Sequence, residues 1–270
     1  MGIYDLSRRL ACAVLCLSGL SALAANAVAA EDPDELLARI RAVVLKHLSQ
    51  LPNYTCHEAI ERVVRPHSGT FQHMDRVDLE VVYTGQGELF ATAKDAKFQE
   101  QPVYKMVPPG TIASSPMGSH VDGLFMANLA EFKFAGTAKR DGHKTFRFDF
   151  HVPQEKSRYL VRHDGVEAIV AFGGSIWVDQ ETLDLVRVDL KTEHIPPQVG
   201  VHLVEESMHY DQTRIGDTTF LLPLHSELMT TDAMGNYSLN DVRLGNCREF
   251  VGQSVVTYGA PQAARSEEKR

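Results

Sequence analysis

The sequence is poor in tryptophan, cysteine and positive charge, and each shortage narrows the field. Trp177 is the only tryptophan in 270 residues, and there are four cysteines. Lysine and arginine number 27 against 35 aspartates and glutamates, a net charge of −8. The basic residues are scattered, without a stripe or an interleaved aromatic platform, which argues against nucleic acid as a partner. No G-x-S-x-G elbow, P-loop or G-x-G-x-x-G motif is present. Beyond residue 30, no run approaches the ~20 apolar residues needed to span a bilayer.

What is present begins with a leader. Arg8 and Arg9 precede the apolar run "LACAVLCLSGLSALAANAVAA", which ends in small residues. A basic start, a short apolar core and an A-x-A-like end describe a secretory signal peptide over 1–30, with Val28 and Ala30 at the −3 and −1 positions. The expected product is periplasmic or secreted. Neither Cys12 nor Cys16 has the surroundings of a lipid-anchoring cysteine. The leader carries Arg8, Arg9 and Asp5, so removing its +1 from −8 leaves −9. Cys12 and Cys16 leave with it, and an exported chain with two remaining cysteines pairs them, here Cys56 with Cys247. The segment 31–258 reads as one domain. The small, polar, charged residues 259–270 read as a disordered tail.

Leu36, Leu37, Ile40, Val43, Val44, Leu48 and Leu51 recur at helical spacing, capped by Asp32 or Asp34 with Pro33 in the first turn and ended by Pro52. After that the period becomes two. Strands are expected over 54–64, 77–83, 88–93, 146–152, 166–172, 175–179, 185–192, 205–212, 219–230, 237–243 and 247–258. Asp141-Gly142 and Asp164-Gly165 mark tight hairpins. The segment 99–118 contains four prolines and no sustained period. It leads into a short helix capped at Ser119–Asp122, with Val121, Leu124, Phe125 and Leu129 on its apolar face. The pattern is an antiparallel meander with few helices, not a series of βαβ units.

Catalytic chemistry has few footholds. "HEAIE" starts at His57 like a zinc-protease motif, but Glu61 stands where the second histidine is required, and the segment reads as strand. The twelve histidines include no H-x-H pair, the spacing that puts two imidazoles on one strand face. Ser119-His120 is adjacent in sequence without implying a triad. The strongest acid candidate is "GGSIWVDQETLDLVRVDL", with Asp179, Glu181, Asp184 and Asp189. A glycosidase pair needs one carboxyl of raised pKa, whereas "DQETLD" has the makeup of a turn. Asp179 is placed for an Asx turn and Thr182 for a local hydrogen bond. The sequons at Asn53 and Asn236 also mark turns.

In the same stretch, Trp177 points opposite to Ile176 and Val178, and Leu185 opposite to Val186. Both sheet faces therefore want cover, from helices, from the 99–118 segment, or from a ligand.

The aromatic-hydrophobic-Asp triplet Trp177-Val178-Asp179, followed by Thr182 and Arg187, resembles the outer-membrane lipoprotein carrier superfamily (LolA/LolB/RseB-like). "IGDTTFLLPLHSEL", with Pro223 between apolar runs, is similar to the strand-Pro-strand ending of such proteins. "LPNYTC" near the start of the domain resembles exported bacterial proteins without an assigned activity. The superfamily resemblance implies a half-barrel sheet covered by helices, with an apolar cavity for acyl chains. No gating residue of the family has a counterpart here, so no functional residue is carried over.

The combined expectation is an α+β domain: a strongly curved antiparallel β-sheet (half-barrel) covered by an N-terminal helix and a short middle helix. The expected function is non-catalytic binding of an apolar ligand such as a lipid or a lipoprotein acyl chain. An envelope protein-interaction or sensing module is the alternative, and a hydrolase using Asp179, Glu181 and a histidine is the third reading. No catalytic residue, metal site or cofactor is expected, and no ligand-binding residue is assigned.

Overall fold

The computed structural model describes residues 32–84, 87–92, 98, 103–107, 121–127 and 129–250. The leader, the tail, Ser119-His120 and most of the 99–118 segment lie outside the described residues.

Helix α1 (Pro33–Gln50) begins and ends where proline chemistry places it, with Asp34 and Glu35 in its first turn. Leu36, Ile40 and Val44 are its buried stripe, with Leu37, Val43 and Leu48 packed at the margin. A single helical turn of π type, Asp122–Met126, adds Leu124 and Phe125 to the same cluster.

Twelve strands follow period-two patterning: β1 (Tyr54–Arg65), β2 (Gln72–Thr84), β3 (Gly87–Thr92), β4 (Glu131–Arg140), β5 (His143–Val152), β6 (Leu160–His163), β7 (Val166–Ile169), β8 (Ala171–Asp179), β9 (Leu185–Glu193), β10 (Val201–Ile215), β11 (Thr218–Asp232) and β12 (Tyr237–Glu249). Ten form one open antiparallel sheet in the order β3-β2-β1-β12-β11-β10-β9-β8-β5-β4. The fold is α+β, a curved sheet with few helices. Asp141-Gly142 and Asp164-Gly165 both adopt positive φ, as a type I′ hairpin turn demands.

Two strand boundaries need correcting. The expected strand 166–172 breaks at Val170: β7 pairs only with β6 in a separate two-stranded sheet, and β8 starts at Ala171. Val170 is turned inward there, its amide bonded to the Tyr159 carbonyl and its carbonyl to the Ser157 hydroxyl. The expected strands 237–243 and 247–258 are continuous through Glu249, because Asn246 takes a positive φ opposite the register shift between Thr55 and His57, so the strand bulges and does not turn. Residues 251–258 lie outside the described residues.

The disulfide joins Cys56 of β1 to Cys247 of β12 across a sequence separation of 191. It ties the first strand of the domain to its last.

Register assigns the two faces. One continuous rung runs Phe134, Phe148, Ile176, Val188, Met208, Ser226, Val242, Ile60, Val77, from edge to core to edge. This is the inner face, on which α1 and the 122–126 turn pack. The rung of opposite parity runs Arg147, Trp177, Arg187, His209, His225, Arg243, Ala59, Asp78. The next outer rung runs Asp149, Ser175, Asp189, Ser207, Glu227, Asp241, Glu61, Arg76. The outer face is thus a charged surface in which a largely basic rung lies beside a largely acidic one.

Candidate functional site

The acidic stretch is a corner of the sheet. The Asp179 carboxylate accepts the amides of Glu181 and Thr182 at 2.8 and 3.0 Å, and the Thr182 hydroxyl accepts the Asp184 amide. Partial burial works to raise the Asp179 pKa, but these amides and the His143 ring, 2.8 Å away, hold it below the usual carboxylate range. The other acids go elsewhere. Asp184 meets His47 of α1 at 2.7 Å, which anchors the helix end to the bend. Asp189 accepts Arg187 and the Trp177 indole, and Glu181 is exposed. The four carboxylates splay around a turn instead of converging.

Trp177 is covered by side chains of its own face. It lies on the outer face and is 9% exposed. The guanidinium groups of Arg140 and Arg147 lie 4.9 and 5.1 Å from its ring centroid, and its Nε1 donates to Asp189 Oδ2 at 3.0 Å. Arginine stems supply apolar cover while their heads stay in water.

"HEAIE" behaves as a strand. His57 and Glu61 share the outer face and do not converge: His57 faces Asp78 at 3.2 Å, and Glu61 takes His73 and Arg76. The residue between them that matters is Glu58. Alternation along β1 puts Tyr54, Cys56, Glu58, Ile60 and Arg62 on the inner side, and all five are buried. Arg62 is compensated by its register partner Asp75, with Nε 2.6 Å from Oδ1. Hydrogen bonding to Arg62 holds the Asp75 carboxyl below its usual range.

Glu58 has no basic register partner. It is 1% exposed, its register neighbours are Leu79 and Leu244, and its Oε2 finds no hydrogen bond among the described residues. Burial, reinforced by the Glu88 charge, pushes its pKa up to about 8. At neutral pH it is therefore a carboxylic acid, able to donate as well as accept. Tyr83, on the same side of β2, stacks on Tyr54 with ring centroids 4.7 Å apart, and its buried hydroxyl also finds no hydrogen bond among the described residues. Burial, then the charges of Glu88 and Glu58, push its pKa well above the ordinary phenol value. The surroundings are apolar: the disulfide, Val81, Phe90, Leu222, and Val103 from the 99–118 segment. Two neutral polar groups buried among packed apolar side chains, without partners among the described residues, are the inner-face groups with hydrogen-bonding capacity left over for an apolar ligand that carries one polar group. The sequence carries the signal for this pair in the form of two charged residues, Glu58 and Arg62, on the apolar parity of β1.

No protein-family model matches the chain, and no curated protein matches its sequence. Similar solved structures include a DUF1329 family protein from Desulfovibrio piger, 12% identical with a TM-score of 0.44, covering 80% of this chain and 94% of that one. Another is a putative outer membrane lipoprotein-sorting protein domain from Vibrio parahaemolyticus, 8% identical, TM-score 0.41, covering 80% and 94%. A third is a LolA superfamily protein from Nitrosomonas europaea, 8% identical, TM-score 0.37, covering 83% and 96%. These neighbours include the superfamily to which the Trp177–Arg187 stretch was likened.

Proposed function

We propose that this is an exported, periplasmic or secreted protein without catalytic activity that binds an apolar ligand, a lipid or a lipoprotein acyl chain. The ligand lies against the inner side of β1–β3, and Glu58 and Tyr83 make its polar contacts. The observation that carries this reading is Glu58 itself. A buried carboxyl oxygen without a hydrogen-bond partner among the described residues costs the fold about 1–3 kcal/mol in lost hydrogen bonding. A ligand ester, amide or hydroxyl would satisfy both groups at once. Among the described residues no helix is long and apolar enough to cross a membrane.

Mass spectrometry of protein taken from the native envelope tests this. The expected result is a co-purifying lipid that is lost from the Glu58→Leu, Tyr83→Phe double variant. Protein free of lipid, or lipid retained equally by both proteins, would overturn it. The β6–β7 hairpin favours a second reading as a protein-interaction module, because its paired Leu160 and Ile169 are both about half exposed. Crosslinking to a protein through this hairpin, with no lipid bound, supports that reading.

A further inference from the structure

His225 and Glu227 stand two residues apart on β11, so both side chains belong to the outer face. Asp241 on β12 is the register partner of Glu227. One ligand atom from each, an imidazole nitrogen and two carboxylate oxygens, lie within 4.8 Å of one another.

Three details separate this trio from an ordinary surface ion pair. His225 Nε2 and Asp241 Oδ1 are both shut off from water, and the ion-pair contacts they make, with each other and from Arg243 Nε to Oδ1 at 3.0 Å, lack hydrogen-bond alignment. The two atoms are 3.3 Å apart. That is the edge of a coordination tetrahedron, since bonds of about 2.0–2.1 Å at the tetrahedral angle put neighbouring ligand atoms about 3.3 Å apart. Glu227 and Asp241 also face each other as like charges across a strand pair, a destabilising arrangement that a divalent cation between them reverses.

The neighbours define the rest. Arg243 is the resident counter-charge, with Nη2 and Nε each 3.0 Å from an Asp241 oxygen, and it is well exposed and free to swing away. His209, the register partner of His225, stacks on its ring with centroids 5.1 Å apart. Its own nitrogens are engaged by Arg187 at 2.9 Å and Asp141 at 3.1 Å, so it orients His225 and does not join the ligand set.

We propose that His225, Glu227 and Asp241 bind a divalent first-row transition-metal ion, with zinc as the representative case. One imidazole nitrogen and two carboxylate oxygens suit such an ion better than magnesium or calcium, which prefer all-oxygen shells. Three protein ligands leave a coordination position open. Glu227 also lines a groove of about 490 Å³ with Ser175, Asp189, Lys191 and Ser207, so space for a further ligand borders the metal.

The test is calorimetric titration of the untagged chain with Zn²⁺ alone. One ion per chain is expected. His225→Ala and Asp241→Asn should each weaken binding roughly tenfold or more, because losing a ligand costs at least as much as losing an outer-shell partner. Arg243→Gln should tighten it, because the competing cation is gone. Thermal melting without metal checks that each variant is folded. Cobalt broadening of the His225 imidazole NMR signal needs no variant and is expected at one equivalent. No binding at millimolar Zn²⁺, a His225 signal untouched by cobalt, or equal affinity in the parent and both ligand variants would overturn the site and assign any binding to the acidic surface at large.

Discussion

The two faces of the sheet solve the same problem by different means. The inner face is apolar, and over β4, β5 and β8–β10 it is covered by α1 and the 122–126 turn, so its order comes from burial. The outer face has no covering helix among the described residues. Its rungs alternate basic with acidic residues, and even Trp177 is covered there by arginines. The inner face tolerates no uncompensated charge without consequence, which is why Glu58 stands out. On the outer face charges are ordinary, and what stands out is a trio of potential ligands whose water-excluded atoms meet only in poorly aligned ion pairs. Polar groups are informative in proportion to how badly their surroundings suit them.

The contrast can be broken most strongly at the disulfide that closes the inner face. Replacing Cys56 and Cys247 by alanine should cost about 5 kcal/mol on the chain-entropy model, an upper figure. Denaturant unfolding under oxidising and reducing conditions checks this, and the variant should melt at the same temperature in both.

Next in size is Glu58. Its native pKa of about 8 lies above the ordinary 4.5. The folded state therefore holds a proton that the unfolded chain gives up above 4.5, and stability falls as pH rises from 4.5 through 8. Glu58→Gln should leave stability at pH 4.5 little changed and raise it by a few kcal/mol at pH 8. Urea midpoints across that range read the difference. Equal slopes with pH in parent and variant would show that Glu58 is ionised in the fold.

On the outer face, Arg140→Ala with Arg147→Ala should expose Trp177. As the only tryptophan, it reports directly: its emission should move to longer wavelength, with a loss of roughly 1–2 kcal/mol from two cation–π contacts. An unmoved spectrum would mean that the sheet alone shields the indole. The smallest effect belongs to His143→Ala, which removes one surface partner of Asp179 but neither amide. Less than about 1 kcal/mol is expected, seen as a slight shift in thermal midpoint.

Much of the architecture was legible in the chain. The stripe Leu36, Ile40, Val44 defined α1, and the two Asp-Gly pairs placed two hairpins. Asp179 and Thr182 marked the bend that an acid-site reading would have mistaken for chemistry. Strand ends were less legible, because the break at Val170 and the bulge at Asn246 depend on what lies across the strand, not on what is next in sequence. The candidate sites split the same way. Glu58 was readable in principle, since period two puts it with Cys56 and Ile60. The trio was not, since His225 and Glu227 lie on one strand and Asp241 on another.

By itself, then, the sequence determined the elements, the turn chemistry and which residues share a face of each strand. These follow from local backbone geometry and from the separation of apolar and polar side chains. Only the tertiary structure decided the register. Register sets which residue of one strand meets which of the next. It brought Asp241 to Glu227, seated Arg140 over Trp177, and gave Arg62 a carboxylate while leaving Glu58 between two leucines.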